Sequence, residues 1–309
     1  MSNVTISFLH INDSVSEYSP MDFKFKRERY TPYTTLSGHL LTNDSITDVK
    51  TVFLYIDGNL VHAGMADMVE RKKSKGRSIV SFLSRSFTLL LGQNEPVPGI
   101  ISDVDLAQLI FYNTTLPYIN CQADTQILNY VYVKEKSTIW DAVCTYAYKA
   151  YTNYPYIYGT NTVRATVPET VPLRDYNSEI ITFYSDKIST SGLYSHVFMK
   201  STGEDYPFTQ VDNAAVARNI VRKKYYPLDP QWYADPDGGL LSKLKFSNRG
   251  FISISFQYKG FKFENLLDKV VFSNSSVNID SEYVSAVEVT GNSRGIFTKI
   301  SVYRDGYSV

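Results

Sequence analysis

Alternating apolar and polar residues near the end of the chain predict a β-hairpin. Two segments, Tyr283–Thr290 and Ile296–Tyr303, follow a two-residue period, and the glycine-bounded stretch Gly291–Gly295 lies between them. Two such segments joined by a short glycine-containing stretch are typical of paired antiparallel strands with a five-residue loop. Strands in this position are expected to complete a barrel or a sandwich.

The first part of the chain shows the same two-residue period. Val4–Phe8 and Met21–Lys26 are predicted strands, and Val52–Ile56 is predicted to turn back at Asp57-Gly58-Asn59. Asp-Gly is a strong hairpin signal, because both residues tolerate the positive φ of tight turns. A further apolar segment, Ile79–Leu83, fits either a strand or a short helix.

The middle of the chain mixes helical and strand periods. A helix capped by Asp103 is predicted to end near Ile110, and Gln126–Val133 is a predicted strand. The clearest helix starts at Ser137, because apolar side chains recur on one face at Trp140, Val143, Cys144, Ala147 and Tyr151. A small hairpin follows over residues 156–165. This unit needs a sheet to cover the apolar face of its helix.

Strands return in the last third of the chain. Glu179–Tyr184 and Leu193–Met199 are predicted to pair, and the alanine-rich segment Asp212–Lys224 is a predicted helix. A loop at Asp235–Gly239 and a strand at Phe251–Phe256 are predicted after it. The proline-rich linker over residues 167–172 and the length of 309 residues together predict three units, 1–92, 93–170 and 171–309.

Composition supports a folded, β-rich protein. Hydrophobic residues make up 43% and charged residues 20% of the chain, as in ordinary globular proteins. Lys and Arg total 31, as do Asp and Glu, so no overall field attracts the chain to nucleic acid or an anionic membrane. The 25 tyrosines fit strands and also contact surfaces, where a ring buries area and keeps a polar tip in water.

No membrane or redox role is expected. The first residues lack a charged region followed by an apolar core, so we expect no signal peptide and synthesis in the bacterial cytoplasm. No apolar run is long enough for a spanning helix, and no membrane insertion is predicted. Cys121 and Cys144 are read as small buried side chains in a reducing compartment, although a disulfide or a reactive thiol remains an alternative.

Catalytic and ligand-binding motifs are absent from the sequence. The four histidines stand singly, and the chain has no phosphate-binding loop, nucleophile elbow or zinc-type spacing. Asp235, Asp237 and Gly238 resemble part of a calcium loop, but the later glutamate is missing and a plain turn fits better. We therefore predict no catalytic residues, no metal, no cofactor and no enzymatic activity.

Two basic clusters are the candidate functional residues. The first contains Arg71, Lys72, Lys73, Lys75 and Arg77, and the second contains Arg218, Arg222, Lys223 and Lys224 beside Tyr225 and Tyr226. Cations next to aromatic rings suit phosphate contact, as in a DNA channel. The alternatives are solvated surface and contact with acidic patches of neighbouring subunits.

Several motifs, in this order, resemble phage baseplate hub proteins of the Mu type. Near the N-terminus these are Tyr55–Gly58, Val61–Gly64, Gly76-Arg77-Ser78 and Ser81–Leu83. The helix that begins Ser137-Thr138-Ile139-Trp140-Asp141, with its following hairpin, resembles the α/β insertion of these hubs. Ile279–Val287 and Phe297–Val302 are similar to their C-terminal barrel.

The resemblance implies a β-rich α+β fold in which two tail-tube-like β-barrels flank a smaller α/β insertion. It also implies a homotrimer that adapts a sixfold tail tube to a threefold central spike, in a phage tail, a headless bacteriocin or a type VI secretion spike. The implied partners are the tail tube protein, the central spike protein and other baseplate proteins, with DNA passing through the channel. The alternative hypothesis is a tail-associated glycan- or receptor-binding β protein, which an exposed aromatic platform would favour.

Overall fold

The computed structural model describes residues 3–44, 46, 48–74, 77–112, 114–123, 125–203, 205–273 and 278–304. Its strands are β1 (Val4–His10), β2 (Val15–Tyr18), β3 (Asp22–Glu28), β4 (Thr35–Leu41), β5 (Val49–Ile56), β6 (Asn59–Ser74), β7 (Arg77–Ser86), β8 (Gly99–Val104), β9 (Asn120–Cys121), β10 (Leu128–Val133), β11 (Tyr156–Tyr158), β12 (Thr162–Arg164), β13 (Leu173–Asp175), β14 (Ile181–Ile188), β15 (His196–Met199), β16 (Phe208–Val211), β17 (Lys223–Tyr226), β18 (Ile252–Lys259), β19 (Lys269–Ser273), β20 (Asn278–Asn292) and β21 (Gly295–Tyr303). The helices are α1 (Leu90–Gln93), α2 (Leu106–Phe111), α3 (Ile139–Tyr151), α4 (Asn213–Val216) and α5 (Pro236–Asn248), with 3₁₀ turns at Phe87–Leu89 and Pro230–Trp232.

One large sheet joins the two ends of the chain. Within the described residues its thirteen strands run in the order β14-β18-β21-β20-β3-β4-β7-β6-β5-β1-β2, with β19 on β20 and β13 on β19. The junction is the antiparallel pair β3–β20, from Ala286 opposite Glu28 to Gly291 opposite Phe23. Side chains from both halves fill one core beneath it, including Phe25, Phe82 and Phe256.

The predicted β-rich α+β class is confirmed. Strands make up 47% and helices 16% of the structure, and most strand pairs are antiparallel. No pairing among the described residues joins the end strands β2 and β14, so the large sheet is open in this strand order.

All three predicted hairpins form, the small one as β11–β12, and one of them needs a correction. Asp57 and Gly58 have φ of 49° and 77° and connect β5 to β6, because glycine and aspartate tolerate positive φ. The predicted five-residue loop at the C-terminal hairpin is wrong: Asn292 lies opposite Gly295, so only two residues connect β20 to β21. The ambiguous segment Ile79–Leu83 is part of strand β7.

A second core lies around α3 in residues 93–170, a stretch called the insertion below, and Tyr30 and Phe87 from outside this stretch also join it. Trp140, Val143 and Tyr146 are buried in it, together with residues of α2, β8 and β10. Two predicted caps are displaced along the chain. Thr138, not Ser137, caps α3, and Asp105, not Asp103, caps α2. In each case the capping side chain accepts from the third helical backbone N–H, and the residue there reaches back in a capping box.

The last third of the chain departs most from prediction. β14 pairs with β18, and β15 pairs with β16 and β17, so the predicted pairing of Glu179–Tyr184 with Leu193–Met199 is wrong. The predicted helix Asp212–Lys224 is also wrong. Asp212 caps only the single turn α4, Asn219 takes a φ of 58°, and the chain continues into β17.

The predicted loop Asp235–Gly239 is the first turn of helix α5. Asp235 caps it through the backbone N–H of Gly238, and Pro236 occupies the first helical position, where a missing N–H costs nothing. Gly239 lies against Trp232, where an added Cβ would come within 2.4 Å of ring atom Cγ. Leu240 and Leu244 of this helix pack on Val197 and Met199 of β15.

A buried polar network underlies the β3–β20 junction. Arg27 of β3 is 4% exposed and donates through Nη1 to Asn265 Oδ1, which also accepts from the backbone N–H of Gly159 in the insertion. Burial lowers the pKa of Arg27 to about 10, although Asp268 and Glu264 oppose the shift. The network thus ties β3, the loop before β19 and the insertion together.

His62 is a second buried polar group in the large sheet. Its Nδ1 lies 2.8 Å from Thr34 Oγ1, its Nε2 lies 2.9 Å from Ser84 Oγ, and the ring is fully buried. Burial, and then the nearby charge of Arg27, lower the pKa of His62 to about 3. The neutral imidazole is therefore part of the folded core.

Substitution His62→Gln tests this assignment. In the wild type, the unfolded chain binds a proton at His62 below about pH 6.5 and the folded chain does not, so stability falls with decreasing pH by about 1.4 kcal/mol per unit between the two pKa values. Gln can hydrogen-bond but cannot titrate, so the variant should lack this contribution. Urea denaturation at pH 7.0, 6.0 and 5.0 gives the slope of the free energy of unfolding against pH for the wild type and for the variant. Equal slopes would show that His62 titrates freely in the folded protein.

Candidate interaction surfaces

The first basic cluster lies at the end of the β6–β7 hairpin. Arg71 donates through Nε to Ser78 Oγ at 2.6 Å and through Nη2 to the Asn43 carbonyl at 2.9 Å. Lys72 pairs with Glu70 at 3.0 Å on the surface. Because Arg71 and Lys72 already bind neighbouring residues, fewer of their hydrogen-bond donors are available to a partner.

Lys73, Lys75 and Arg77 are the remaining members of this cluster, and the structure describes them to different extents. Lys73 is exposed on β6. Lys75 lies outside the described residues, as does the side chain of Arg77, whose backbone begins β7. Arg71, Lys72 and Lys73 are all exposed, and Lys73 is the one of these three for which the described residues show no side-chain hydrogen bond or ion pair.

The second basic cluster lies at β17 and divides between two faces. Arg222 donates through Nη1 to the carbonyls of Thr190 at 2.7 Å and Leu193 at 3.2 Å. Lys223 is exposed, whereas Lys224 is half-buried on the opposite face. The Lys224 Nζ lies 5.3 Å from the ring centre of Tyr194 and 5.0 Å from that of Tyr226. The two clusters belong to different sheets and do not combine into one stripe.

The small sheet β16-β15-β17 has an outer aromatic face, formed by His196, Phe198, Tyr206 and Tyr225. The rings of Phe198 and Tyr225 stack at 4.7 Å with 12° between their planes, and Tyr206 meets Tyr225 edge-on at 5.1 Å. Tyr225 is 54% and Tyr206 40% exposed. Because Phe198 and Tyr225 cover each other's faces, they offer ring edges more than the open plane that a sugar ring would stack on.

Sequence reasoning missed this face. The segment of β15 was predicted to pair with that of β14, and Lys223 was predicted to lie in a helix. Pairing of β15 with β17, which brings their rings together, was therefore not predicted. The parallel register that joins Phe198 to Tyr225 is not visible in either segment alone. The run Lys223-Lys224-Tyr225-Tyr226 shows no alternation of polar and apolar residues, so its alternately exposed and half-buried pattern is visible only in the structure.

A cleft of about 360 Å³ lies between the α/β insertion and the segment that contains α5. One wall is α3, with Asp141 and Tyr148, and the opposite wall is α5, with Lys243 and Phe246. The end of β10 and the 3₁₀ turn Pro230–Trp232 close its remaining sides. We call it the α3–α5 cleft.

Asp229 forms an ion triad in this cleft. The carboxylate is 5% exposed, and its Oδ2 accepts from Lys134 Nζ at 2.8 Å and from Lys243 Nζ at 3.0 Å. Burial opposes the charged form, but the hydrogen bonds from Lys134 and Lys243 and their charges outweigh it and lower the pKa of Asp229. Lys134 belongs to the insertion and Lys243 to α5, so one carboxylate holds the two units together.

Aromatic packing adds to this contact. Tyr148 of α3 meets Trp232 edge-on at 5.8 Å, and Lys149 Nζ lies 4.1 Å from the ring centre of Tyr130 and 5.8 Å from Trp232. Burial lowers the pKa of Lys149, and the charge of Asp229 acts against that shift. The contact surface is therefore apolar around a charged centre.

The described residues include two thiols but no cluster of possible metal ligands. They contain no group of three or more His, Cys, Asp and Glu side chains arranged to hold a metal ion. Cys121 and Cys144 are both free thiols, and burial raises the pKa of each. Among the helices that the structure describes, none combines the length and apolarity needed to cross a bilayer. Of the surfaces described above, the cleft contains the buried ion triad of Asp229, Lys134 and Lys243.

Two solved structures with a similar fold are described as tail proteins, one of them from a prophage. A tail protein from Neisseria meningitidis matches with a TM-score of 0.73 at 14% identity, covering 99% of this chain and 97% of that one. The 43 kDa tail protein of prophage MuSo2 from Shewanella oneidensis matches with a TM-score of 0.72 at 12% identity, covering 100% and 99%. No protein-family model and no curated protein matches the sequence.

A component of the type VI secretion system of E. coli, described as structurally similar to bacteriophage tail proteins, matches with a TM-score of 0.58 at 9% identity. That match covers 94% of this chain and 76% of the other. The predicted resemblance to Mu-type hub proteins is thus confirmed as a shared fold over nearly the whole chain. The sequence identity of these matches is very low.

Substitution Asp229→Asn should weaken the contact between the insertion and α5. It removes the shared counter-charge and leaves two ammonium groups facing a neutral amide, at a cost of about 1–3 kcal/mol since both lysines are partly exposed and can turn to solvent. Because the pKa of Asp229 is lowered in the folded state, the wild-type advantage should persist at neutral pH and shrink below about pH 4. Urea denaturation and hydrogen exchange in α5 measure it.

Asp237→Asn is the matched control, because Asp237 is exposed in the first turn of the same helix. Equal stability and equal exchange rates in α5 for both variants would contradict the role given to Asp229.

Proposed function

We propose that the chain is a structural hub protein of a phage tail or a phage-like particle. The observation that carries the proposal is the agreement of fold with two prophage tail proteins from one end of the chain to the other. A shared fold alone does not fix function, but here no catalytic or metal-binding constellation competes with a structural role among the described residues. The proposed activity is therefore rigidity and contact, without catalysis.

The proposed working unit is a homotrimer in which each chain supplies two tube-like β units. One unit corresponds to residues 1–92 and the other to 171–309, with the α/β insertion 93–170 between them. The pairing of β3 with β20 connects the two halves through one sheet, so they would act together in the particle. Three chains would present six similar β units to a sixfold tail tube. The same trimer would present threefold symmetry to a central spike.

Exposed strand edges are the proposed contact elements for the neighbours. β2 and β14 are the end strands of the large sheet, and each carries exposed apolar side chains, Val15 on β2 and Phe183 and Ile188 on β14. Unpaired edges with apolar residues favour pairing with another chain. The proposed partners are the tail tube protein, the central spike protein and other baseplate proteins, and the proposed location is the tail of the particle.

Native mass spectrometry over a concentration series tests the hub. We expect a trimer as the main species, and a larger complex when the tail tube or central spike protein of the same particle is added. A chain that stays monomeric alone and with both partners would contradict the hub. The better explanation would then be receptor or glycan binding through the outer aromatic face, because Tyr206 and Tyr225 are exposed there.

Lys73 and Lys223 are the proposed phosphate contacts for DNA in the channel, because both are exposed in the basic clusters. Binding of a labelled DNA duplex is measured at several salt concentrations for the wild type and the double variant Lys73→Gln, Lys223→Gln. If each lysine neutralises one phosphate, the slope of log affinity against log salt should fall by about 2. The exposed Lys259→Gln is the control, and an unchanged slope in the double variant would assign the clusters to protein contacts.

A further inference from the structure

The α3–α5 cleft contains a buried hydrogen-bond donor with no acceptor among the described residues. Gln231 is 2% exposed, and its Oε1 accepts from the backbone N–H of Tyr132 at 2.6 Å. Its Nε2 has no partner in the part of the chain that the structure describes. Because buried polar groups are nearly always paired, this amide marks a position where an acceptor from outside the chain fits.

The hydrogen-bond donors around Asp229 favour an acceptor with several lone pairs. Lys134 and Lys243 share the single carboxylate of Asp229, and each ammonium has three donors, so hydrogen-bonding capacity is left over. The other carboxylate of the lining, Asp141, accepts at Oδ2 from the N–H and the Oγ1 of Thr138 in the helix cap. A carboxylate is the group that best complements this set of donors.

The walls of the cleft favour an apolar or aromatic group beside that carboxylate. Tyr148 and Trp232 line it, together with Tyr154 and Phe246, whose rings stack at 5.1 Å. The volume of about 360 Å³ is at the lower end of the range for ligand sites, enough for one or two side chains. The side chain of Lys134 is about half exposed, so the charged end of the cleft is open to solvent.

We propose that the α3–α5 cleft binds an acidic side chain next to an apolar residue, supplied by a segment of a neighbouring tail protein. The carboxylate accepts from Gln231 Nε2 and from the free donors of Lys134 and Lys243, and the apolar residue packs on Trp232 and Phe246. The choice of a protein segment over a free organic acid rests on the proposed function, since a hub is surrounded by other proteins. The site itself rests only on the chemistry of the cleft.

Calorimetric titration of the full chain with two capped dipeptides tests the proposal. The probe is N-acetyl-glutamyl-phenylalanine amide, and its neutral counterpart has glutamine in place of glutamate. We expect the acidic probe to bind at least tenfold more tightly, because charge-assisted hydrogen bonds are about twice as strong as neutral ones. Gln231→Glu keeps the acceptor for Tyr132 and replaces the free donor with a negative charge, and it should weaken binding of the acidic probe roughly tenfold or more.

Lys243→Gln should also weaken binding, whereas Lys245→Gln, on the same helix and outside the cleft lining, should leave it unchanged. Equal binding of both dipeptides, no binding of either, or unaltered binding by Gln231→Glu would overturn the proposal. Binding of 3-phenylpropionate without binding of the acidic dipeptide would overturn the protein segment as ligand and assign the site to a small organic acid. Trimer formation is measured separately, so failure of the hub and failure of the cleft are distinguishable.

Discussion

The pairing of β3 with β20 is the contact on which the rest of the structure depends. It joins strands from opposite ends of the chain and places their apolar side chains in one core. Arg27 lies under the junction and cannot be there without a partner, since an unpaired buried charge is strongly destabilising. The nearby charges of Asp268 and Glu264 favour the charged guanidinium, and Asn265 accepts a hydrogen bond from it. Asn265 also accepts from Gly159 in the turn of the β11–β12 hairpin. One junction therefore sets the position of the insertion as well as that of the strands.

The insertion and the segment with α5 are both excursions from this sheet, and they contact each other. Their contact has a charged centre, Asp229 with Lys134 and Lys243, inside an aromatic surround. A purely apolar contact would hold the two units together equally well and would be indifferent to small shifts between them. Because Lys134 and Lys243 both donate to the same carboxylate oxygen of Asp229, one position of the insertion relative to α5 is favoured. A contact surface that contains residues of both units requires such a fixed position.

Local pattern predicted most strands and the α3 helix, because alternation and a repeat of three or four residues are local properties. It failed where the deciding contact is distant in sequence. Helix α5 was not predicted because Gly238 and Gly239 suggest a loop. In the structure Gly239 packs against Trp232, where there is no room for a side chain. Residues 212–224 were assigned to a helix on their alanines, whereas Asn219 reverses the chain and β17 finds its partner in β15. The α3–α5 cleft was beyond prediction for the same reason: Lys134, Asp229 and Gln231 come together only through the tertiary fold.

The β3–β20 junction also determines the order in which the protein can be completed during synthesis. β3 ends at Glu28 and pairs on one side with the nearby β4, but its other edge stays open until β20, which begins at Asn278, has left the ribosome. Closing so long a loop is slow, and an open strand edge invites pairing with other chains in the meantime. The newly made chain is therefore most prone to aggregation, and most in need of a chaperone, in the interval before its last strands emerge.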